Sequence, residues 1–289
     1  MRISTTSDKS VNQNQPNQPN QPNQSNQPNQ QVGIGKPQAS LWARLWKKSH
    51  GLLVVIFWIM TWGIASLSVG QELLIPSPQV VFGRLAVLLS SKPFYVTVLA
   101  SMGRIMAGFL LAVAAGILLS VLTETVPFFK RLFAPLVGMI KATPVASFII
   151  LALVWLNSEG VVTFVSFLMV LPLVWGNLSQ GIRTTDRDLL EMGRMYHFSR
   201  WKIIRYVYIP AVMPHFISAI TTGIGFAWKS GIAAEVLGTP KGSVGQALYE
   251  AKIYLETPDL FAWTLVVIVL SLIIERGVLW LIHWTAARL

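Results

Sequence analysis

Long runs of residues without a charged side chain constrain this chain more than any other feature. Residues 51–69, GLLVVIFWIMTWGIASLSV, are uncharged, and the run is about as long as a helix that crosses a bilayer. Only 12% of the chain is charged and 53% is hydrophobic, whereas a soluble domain carries roughly 25% charged residues. The sequence therefore predicts an all-α integral membrane protein.

Six apolar segments predict six transmembrane helices. They are residues 51–69, about 95–122, about 133–156, about 161–182, about 212–237, and a last segment from about residue 260. Amphipathic spacing in residues 80–89, after Pro76 and Pro78, predicts a short helix on the membrane surface. The second span carries small residues, several of them spaced by four, which predict a position inside the bundle: Gly103, Ala107, Gly108, Ala112, Ala115 and Gly116.

Residues 1–40 differ in composition from the rest of the chain. They contain the degenerate repeat NQNQPNQPNQPNQSNQPNQQ, which has no aromatic or aliphatic side chain. Such a segment buries too little apolar surface to offset the entropy of ordering, and its regular prolines oppose β-pairing. The sequence predicts a disordered Asn/Gln/Pro-rich tail at residues 1–40, followed by a transmembrane domain at residues 41–289.

The net charge of +11 raises the question of a nucleic-acid partner. The basic residues lie in short loops beside apolar spans and form no basic face with stacking aromatics, so we expect no nucleic-acid binding. They indicate orientation instead, because basic loops stay in the cytoplasm. One side receives only Arg84, Lys92, Lys241 and Lys252. The other side, with both termini, is therefore predicted to be cytoplasmic and carries Arg44, Lys47, Lys48, Lys130, Arg131, Arg183, Arg187, Arg194, Arg200, Lys202, Arg205 and Arg288.

Residues 184–214 interrupt the apolar pattern with a polar, basic stretch that no bilayer would accept. Each half nevertheless begins with a capping residue, Asp186 or Asp188 in the first and Ser199 in the second. Pro210 follows the second half, before the next apolar segment. We predict a helix, a tight turn and a second helix, presented to a partner in water. On periodicity alone, an ordinary pair of amphipathic interfacial helices fits this stretch equally well.

The same stretch resembles the cytoplasmic EAA loop of ABC-importer permeases, in which Glu-Ala-Ala is followed by a glycine and an Ile-x-Leu-Pro-like ending. EMG at residues 191–193 stands for Glu-Ala-Ala, with Gly193 in place of the second alanine, and YIP at residues 208–210 stands for the ending. His197 stands in place of the turn glycine, a left-handed position that histidine tolerates better than most residues.

The resemblance extends from about residue 52 to the C-terminus and is with the nitrate/sulfonate/taurine/bicarbonate type of permease. It is supported by TVLASMGRIMAGFLLAVAAG from Thr97, IKATPVASFIILALVWL from Ile140 and GFAWKSGIAAEVLGTPKGSVG from Gly225. The resemblance implies the transmembrane permease subunit of an ATP-driven ABC importer, of the type I fold, with no catalytic site of its own. Nitrate, an alkanesulfonate, taurine, bicarbonate and a thiamine-precursor-like molecule all remain open as solutes.

The resemblance also implies partners and coupling residues. Two copies of the permease would form the path, two cytoplasmic ATPase subunits would each receive one loop, and an extracytoplasmic binding protein would deliver the solute. ATP would be bound by the partner subunits, with no cofactor in this chain. The implied coupling residues are Glu191, Met192, Gly193, Met195, Tyr196, His197 and Pro210.

Four charged residues within or near the spans are candidates for the translocation path: Arg104, Lys141, Lys229 and Glu235. Such residues are costly in hydrocarbon and usually face a bundle interior or an aqueous cavity. Three of the four are basic, which favours an anionic solute. The structural alternative is that Lys141 and Glu235 reach an interface and that Lys229 pairs with Glu235.

Motifs of enzymes, metal sites and nucleotide sites are missing from the sequence. The only Gly-Lys pair, Gly35-Lys36, is followed by Pro37 and not by the Ser/Thr of a phosphate loop. The four histidines are scattered, and the chain has no cysteine, so we expect no metal site and no disulfide. The alternative function is a self-sufficient ion-coupled secondary carrier, a class that often shows internal repeats, whereas none is convincing here.

Overall fold

The computed structural model describes residues 41–286. The predicted tail at residues 1–40 and the end of the chain at residues 287–289 lie outside the described residues. By its contacts the chain divides into two units, residues 1–53 and residues 54–289. In the first unit, the described residues 41–53 are helical. Apart from the first residues of the helix that begins at Leu41, the features that follow belong to the second unit.

The described part of the chain is helical and contains no strand. In chain order the helices are α1 Leu41–Val69, α2 Pro78–Leu89, α3 Lys92–Thr125, α4 Pro127–Ala142, α5 Val145–Ala152, α6 Ser158–Arg183, α7 Arg187–Met195, α8 Arg200–Ile203, α9 Ile209–Gly238, α10 Val244–Ile253 and α11 Thr257–Ala286. A π-helical segment, Ile204–Tyr208, joins α8 to α9. The predicted all-α membrane fold is confirmed.

Helices α3, α6 and α9 form the core, and α6 contacts both of the others along its length. The small residues of α3 permit this packing. A Cβ atom placed on Gly108 would lie 2.3 Å from the carbonyl oxygen of Thr163, and one placed on Gly116 would lie 2.6 Å from Val174 Cγ1. No side chain fits in such gaps, so the helices meet at these glycines. The prediction that this span lies inside the bundle is confirmed.

The segment predicted as one continuous span over residues 133–156 is broken. Helices α4 and α5 are bent by 105° at the link formed by Thr143 and Pro144. Thr143 is extended, with φ −86° and ψ 133°, because the ring of a following proline disfavours helical geometry in the residue before it. Proline therefore divides this apolar segment, and the prediction of an unbroken helix was wrong.

Four described helices are long and apolar enough to cross a membrane: Lys92–Thr125, Ser158–Arg183, Arg200–Gly238 and Thr257–Ile282. The bent α4–α5 pair makes a fifth if it counts as one span, and the apolar part of α1, Leu53–Val69, is shorter than these. The prediction of six spans stays a prediction. The predicted short helix is present as α2, with Pro78 in its first turn, and its place on the membrane surface stays a prediction.

Helix α9 is the end of a longer continuous helix that starts at Arg200. In the sequence Pro210 lies between the second predicted helix of residues 184–214 and the next apolar segment, and the chain remains helical through both Pro210 and Pro214. Pro210 has no N–H to donate to the preceding turn, and the turn before it, Ile204–Tyr208, is widened into a π-helix. Pro210 is thus accommodated within the helix by a local change of helical pitch.

The end of the bundle where α3 begins and α9 ends is called the outer end. Here α2 is tied to α11 by an ion pair in which Arg84 Nη2 donates to Asp259 Oδ2 at 2.5 Å. This hydrogen bond is the largest cause of a raised pKa at Arg84, so the guanidinium stays charged. The indole of Trp62 in α1 stacks on Phe261 at 5.8 Å between ring centroids, and Thr257 Oγ1 donates to the Leu73 carbonyl at 2.6 Å.

Candidate functional site

Residues 187–208, which we call the knob, project from the end of the bundle opposite the outer end. Helix α7 begins where the Asp186 side chain accepts a hydrogen bond from the Asp188 N–H at 2.8 Å. Helix α8 begins where Ser199 Oγ accepts from the Lys202 N–H at 3.4 Å. Of the two caps proposed for the first helix, Asp186 and Asp188, the structure selects Asp186, and it confirms Ser199 as the cap of the second.

The turn of the knob is built on His197, which has a left-handed φ of 52°. The Phe198 N–H donates to the Gly193 carbonyl at 2.9 Å and the His197 N–H to the Arg194 carbonyl at 3.0 Å. This pair of bonds is the Schellman motif, which ends a helix with one left-handed residue. His197 therefore takes the conformation that glycine adopts at no steric cost, and the predicted tight turn forms without glycine.

The two helices of the knob pack against each other at a small residue of α7. Gly193 is buried, and a Cβ atom there would meet Ile203 Cγ1 at 3.6 Å, an ordinary contact distance. The alanine of the EAA pattern would therefore fit at this position. Phe198 packs beside Tyr196 with 6.5 Å between ring centroids, and Lys202 Nζ lies 5.8 Å from the Phe198 ring.

On the solvent-exposed face of α7 in the knob, apolar side chains are exposed. Met192 is 44% exposed, Met195 is 80% exposed and Tyr196 is 72% exposed. Glu191 is also exposed on α7. The exposed methionine and tyrosine side chains of α7 therefore form an adaptable apolar surface.

A second polar structure, which we call the Glu235 cluster, lies buried near the outer end and consists of Ser101, Arg104, Glu235 and Gly245. Glu235 is fully buried. Its Oε1 accepts from Arg104 Nη2 at 3.2 Å, and its Oε2 accepts from Ser101 Oγ at 2.8 Å and from the Gly245 N–H at 3.1 Å. Both carboxylate oxygens therefore have donors, as a buried charge requires.

The cluster fixes helix α10 on the end of α9. Ser101 Oγ accepts from the Val244 N–H at 2.9 Å while it donates to Glu235, so the first two N–H groups of α10 point toward this carboxylate and hydroxyl. A negative charge is favourable at a helix N-terminus. Glycine is required at position 245 for α10 to come this close to α9, because a Cβ atom there would lie 2.2 Å from Glu235 Cβ.

Two of the four charged candidates of the spans come together, and the two lysines stay apart from them. Arg104 is paired with Glu235, and its side chain is only 16% exposed. The structural alternative, in which Lys229 pairs with Glu235, is therefore not the pairing that the structure shows. Lys229 is exposed on α9, and Lys141 is exposed at the end of α4, with its Nζ 3.9 Å from a Cβ atom placed on Gly176. Within residues 41–286, no three His, Cys, Asp or Glu side chains could hold a metal ion.

Sequence reasoning missed Ser101, Gly245 and helix α10, which lies between the last two apolar segments. One signal could have found the helix: Ser243 followed by Gln246 is a helix-start pattern, and Ser243 Oγ accepts from the Gln246 N–H at 3.0 Å. No local signal marks Ser101, because its partner Glu235 is 134 positions away. Long-range partners of this kind are visible only in the fold.

Residues 112–286 match the family described as "Binding-protein-dependent transport system inner membrane component". The match covers more than half of the chain, and the chain belongs to this family. It is a permease subunit of the ABC importer class, a component of transport across the membrane. The resemblance drawn from the knob sequence is confirmed at the level of the family.

Several relatives carry the names of individual transport systems. The taurine transport system permease protein TauC of Escherichia coli is 22% identical and covers 79% of this chain and 85% of its own length. The riboflavin transport system permease protein RibX of Chloroflexus aurantiacus is 27% identical, with 82% and 88% covered. The bicarbonate transport system permease protein CmpB of Synechocystis is 23% identical, with 66% and 68% covered.

The fold is similar to a solved structure described as the crystal structure of an amino acid ABC transporter with histidines. The TM-score is 0.57 at 14% identity, and the match covers 71% of this chain and 98% of that chain. At this identity the likeness shows a shared fold. The helical arrangement described above is therefore one that an ABC transporter uses.

Proposed function

We propose that the knob is the element through which this permease is driven by ATPase subunits in the cytoplasm. The observation that carries the proposal is the exposed apolar face of α7, with Met195 80% and Tyr196 72% exposed beside the carboxylate of Glu191. ATP is bound and hydrolysed by the partners, since the sequence holds no Gly-Lys-Ser/Thr loop.

The knob and the bundle are joined by one continuous helix, which can carry movement from one to the other. The helix that begins at Arg200 continues without a break to Gly238, so a displacement of the knob reaches the core through one helix. At its other side, Thr185 is buried and its Oγ1 donates to the Gly181 carbonyl at 3.1 Å, which ties the entry of the knob to α6. Closure of two ATPase subunits would rock these two helices together.

The translocation path in this proposal follows the uncovered face of α9. Ser218, Thr222, Phe226 and Lys229 are all exposed and recur at helical spacing on this helix. Hydroxyl and ammonium groups are costly against lipid and need an aqueous path or a protein partner. A second copy of the chain, facing this stripe, would complete the path, with both termini in the cytoplasm and the outer end receiving the binding protein.

The solute is proposed to be a small anion. Lys229 on this face and Lys141 at the end of α4 are exposed, and neither takes part in an ion pair among the described residues. Arg104 contributes less, because Glu235 balances its charge. The relative named for bicarbonate transport fits this class. Taurine, for which another relative is named, carries an anionic sulfonate beside an ammonium group, and the relative named for riboflavin transport shows how wide the family is.

The test of coupling is affinity purification of the full chain in mild detergent from its native membrane. We expect an ATPase subunit to co-purify, and we expect Glu191→Lys to reduce its recovery because the change places a positive charge in the docking surface. Glu72→Lys is the matched control, since Glu72 is exposed in the segment between α1 and α2. Equal recovery of the ATPase subunit with both variants would show that Glu191 does not take part in the interface. Recovery of the chain alone, with transport in liposomes that lack ATP, would make it a secondary carrier.

The solute class is tested in proteoliposomes that contain the whole importer and its binding protein. Lys229→Gln is expected to lower ATP-driven uptake of the anion, while Lys252→Gln, exposed on α10 outside the spans, leaves it unchanged. Unchanged uptake with Lys229→Gln would contradict a role of this face in attracting anions.

A further inference from the structure

A cavity of about 630 Å³ lies between the ends of α3 and α6 and the start of α9, at the end of the bundle that carries the knob. Its walls are almost entirely aliphatic and aromatic. The apolar residues that line it include Ile117, Val121, Ile182, Ile204, Val212 and Phe216. Water is a poor occupant of such a space, because a bound water needs several polar partners.

The charge around the cavity is positive. Arg200 lines it and is exposed, and no ion pair of the described residues involves Arg200. Glu124 also lines the cavity, but its carboxylate is only 11% exposed and accepts from Arg183 Nη2 at 2.6 Å, with Lys130 Nζ at 3.8 Å. Two cations therefore outweigh the one carboxylate, and Arg200 is left to attract an anion.

The apolar walls and the positive charge of Arg200 together indicate which kind of molecule occupies the cavity. A soluble anion would satisfy Arg200 and leave the apolar walls empty, and the polar Asn/Gln/Pro repeat at residues 12–31 has no aliphatic side chain to fill them. An anionic phospholipid carries both an acyl chain and a phosphate, and arginine binds phosphate through a bidentate fork. We propose that this cavity holds an acyl chain of an anionic phospholipid whose phosphate pairs with Arg200.

The position of the cavity gives the lipid access to the joint between the knob and the bundle. Ile204 and Tyr208, the two ends of the π-helical segment, both line it. A π-helical turn is rare and strained relative to the α-helix, and contacts in an adjoining cavity favour one of the two pitches. A bound acyl chain would support the π-helical form and would keep the knob in the orientation seen here.

The first experiment measures lipid retained by the full chain. The protein is purified in mild detergent from membranes that contain phosphatidylglycerol and phosphatidylethanolamine, and native mass spectrometry counts each lipid. We expect Arg200→Gln to lower retained phosphatidylglycerol about tenfold relative to phosphatidylethanolamine, the effect of losing one charged hydrogen bond. Arg205→Gln is the matched control, because Arg205 is exposed in the adjoining turn and does not line the cavity.

The second experiment fills the cavity. Ile117 lines it, whereas the neighbouring Leu118 is 70% exposed and does not line it. Ile117→Trp is expected to abolish the retained lipid, and Leu118→Trp to leave it unchanged, with size-exclusion profiles showing that both variants fold. Both experiments count lipid without ATPase or solute, so their failure and failure of the transport proposal are seen separately.

Three outcomes would overturn the proposal. Equal retention of phosphatidylglycerol in the Arg200→Gln and Arg205→Gln proteins would show that Arg200 does not bind the phosphate. Undiminished retention in the Ile117→Trp protein would place the lipid elsewhere. The chain has no cysteine, so Val121→Cys carries a single photo-crosslinker; capture of a second copy or an ATPase subunit in native membranes, in place of lipid, would assign the cavity to that protein.

Discussion

The knob and the Glu235 cluster are both polar structures attached to an apolar bundle, but they are assembled from different kinds of contact. The knob is held by bonds between near neighbours: Asp186 to Asp188, Ser199 to Lys202 and Phe198 to Gly193. The Glu235 cluster joins residues that are 131 to 134 positions apart in sequence, in α3 and α9. One structure is local and exposed, and the other is long-range and buried.

This difference indicates how each structure responds to change. An exposed polar group that loses its partner is solvated by water, so damage in the knob stays local. A buried charge that loses its partner keeps its desolvation cost, so damage in the Glu235 cluster reaches the whole bundle. We expect mutations in the cluster to lower the stability of the fold, and mutations in the knob to change assembly with ATPase while the bundle persists.

The largest effect is expected from Glu235→Ala. Removal of the carboxylate leaves Arg104 and the Gly245 N–H without their acceptor, and we expect the free energy of unfolding to fall by about 3 kcal/mol. The measurement is thermal unfolding in detergent, followed by size-exclusion chromatography. Glu72→Ala, at an exposed carboxylate, is the control. Equal melting temperatures for the two variants would mean that the buried pair does not stabilise the fold.

The next effect is expected from Gly245→Ala. The added methyl group would lie 2.2 Å from Glu235 Cβ, so α10 must move away from α9 at a cost of about 2 kcal/mol. Gly103→Ala in α3 is the control, because a Cβ atom at that position has nothing within 4 Å. Thermal unfolding distinguishes the two. Stability equal to that of the control would show that α10 shifts without loss of its bonds to the cluster.

A smaller effect is expected at the turn of the knob. Valine is stiff and fits poorly in the left-handed conformation of residue 197, so His197→Val should cost about 1–2 kcal/mol locally and lower ATPase recovery. His197→Gly is the control, since glycine adopts this conformation without strain. Thermal unfolding of the bundle should be unchanged in both proteins. A fall in bundle stability with His197→Val would show that the knob and the core unfold together.

The smallest effect is expected from Ser199→Ala, which removes the cap of α8 and should cost about 1 kcal/mol. The loss is confined to the first turn, and hydrogen exchange of the Lys202 amide measures it directly. Ser218→Ala is the control, because Ser218 is exposed in the middle of α9 and caps no helix. Equal exchange of the Lys202 amide in the two variants would contradict a capping role for Ser199.

Much of the fold could be predicted from the sequence where the signals are local. Apolar runs predicted the helices that became α3, α6, α9 and α11. The capping candidates, Asp186 or Asp188 and Ser199, indicated where α7 and α8 begin. The family resemblance of the knob sequence was confirmed by the family match. Local signals fail at prolines, whose effect depends on context: Pro144 breaks its apolar segment, while Pro214 is accommodated inside α9.

By itself the sequence determined the class of protein, the positions of the long helices, the start of each knob helix and the residue at its turn, because these depend on hydropathy and on hydrogen bonds between neighbours. Only the tertiary structure decided that Arg104 pairs with Glu235, that Lys229 is left exposed and that Gly245 lets α10 contact α9. The cavity beside Arg200 likewise exists only once α3, α6 and α9 have packed. Packing decides which side chains become partners, since a bundle can bring together residues that no sequence spacing relates.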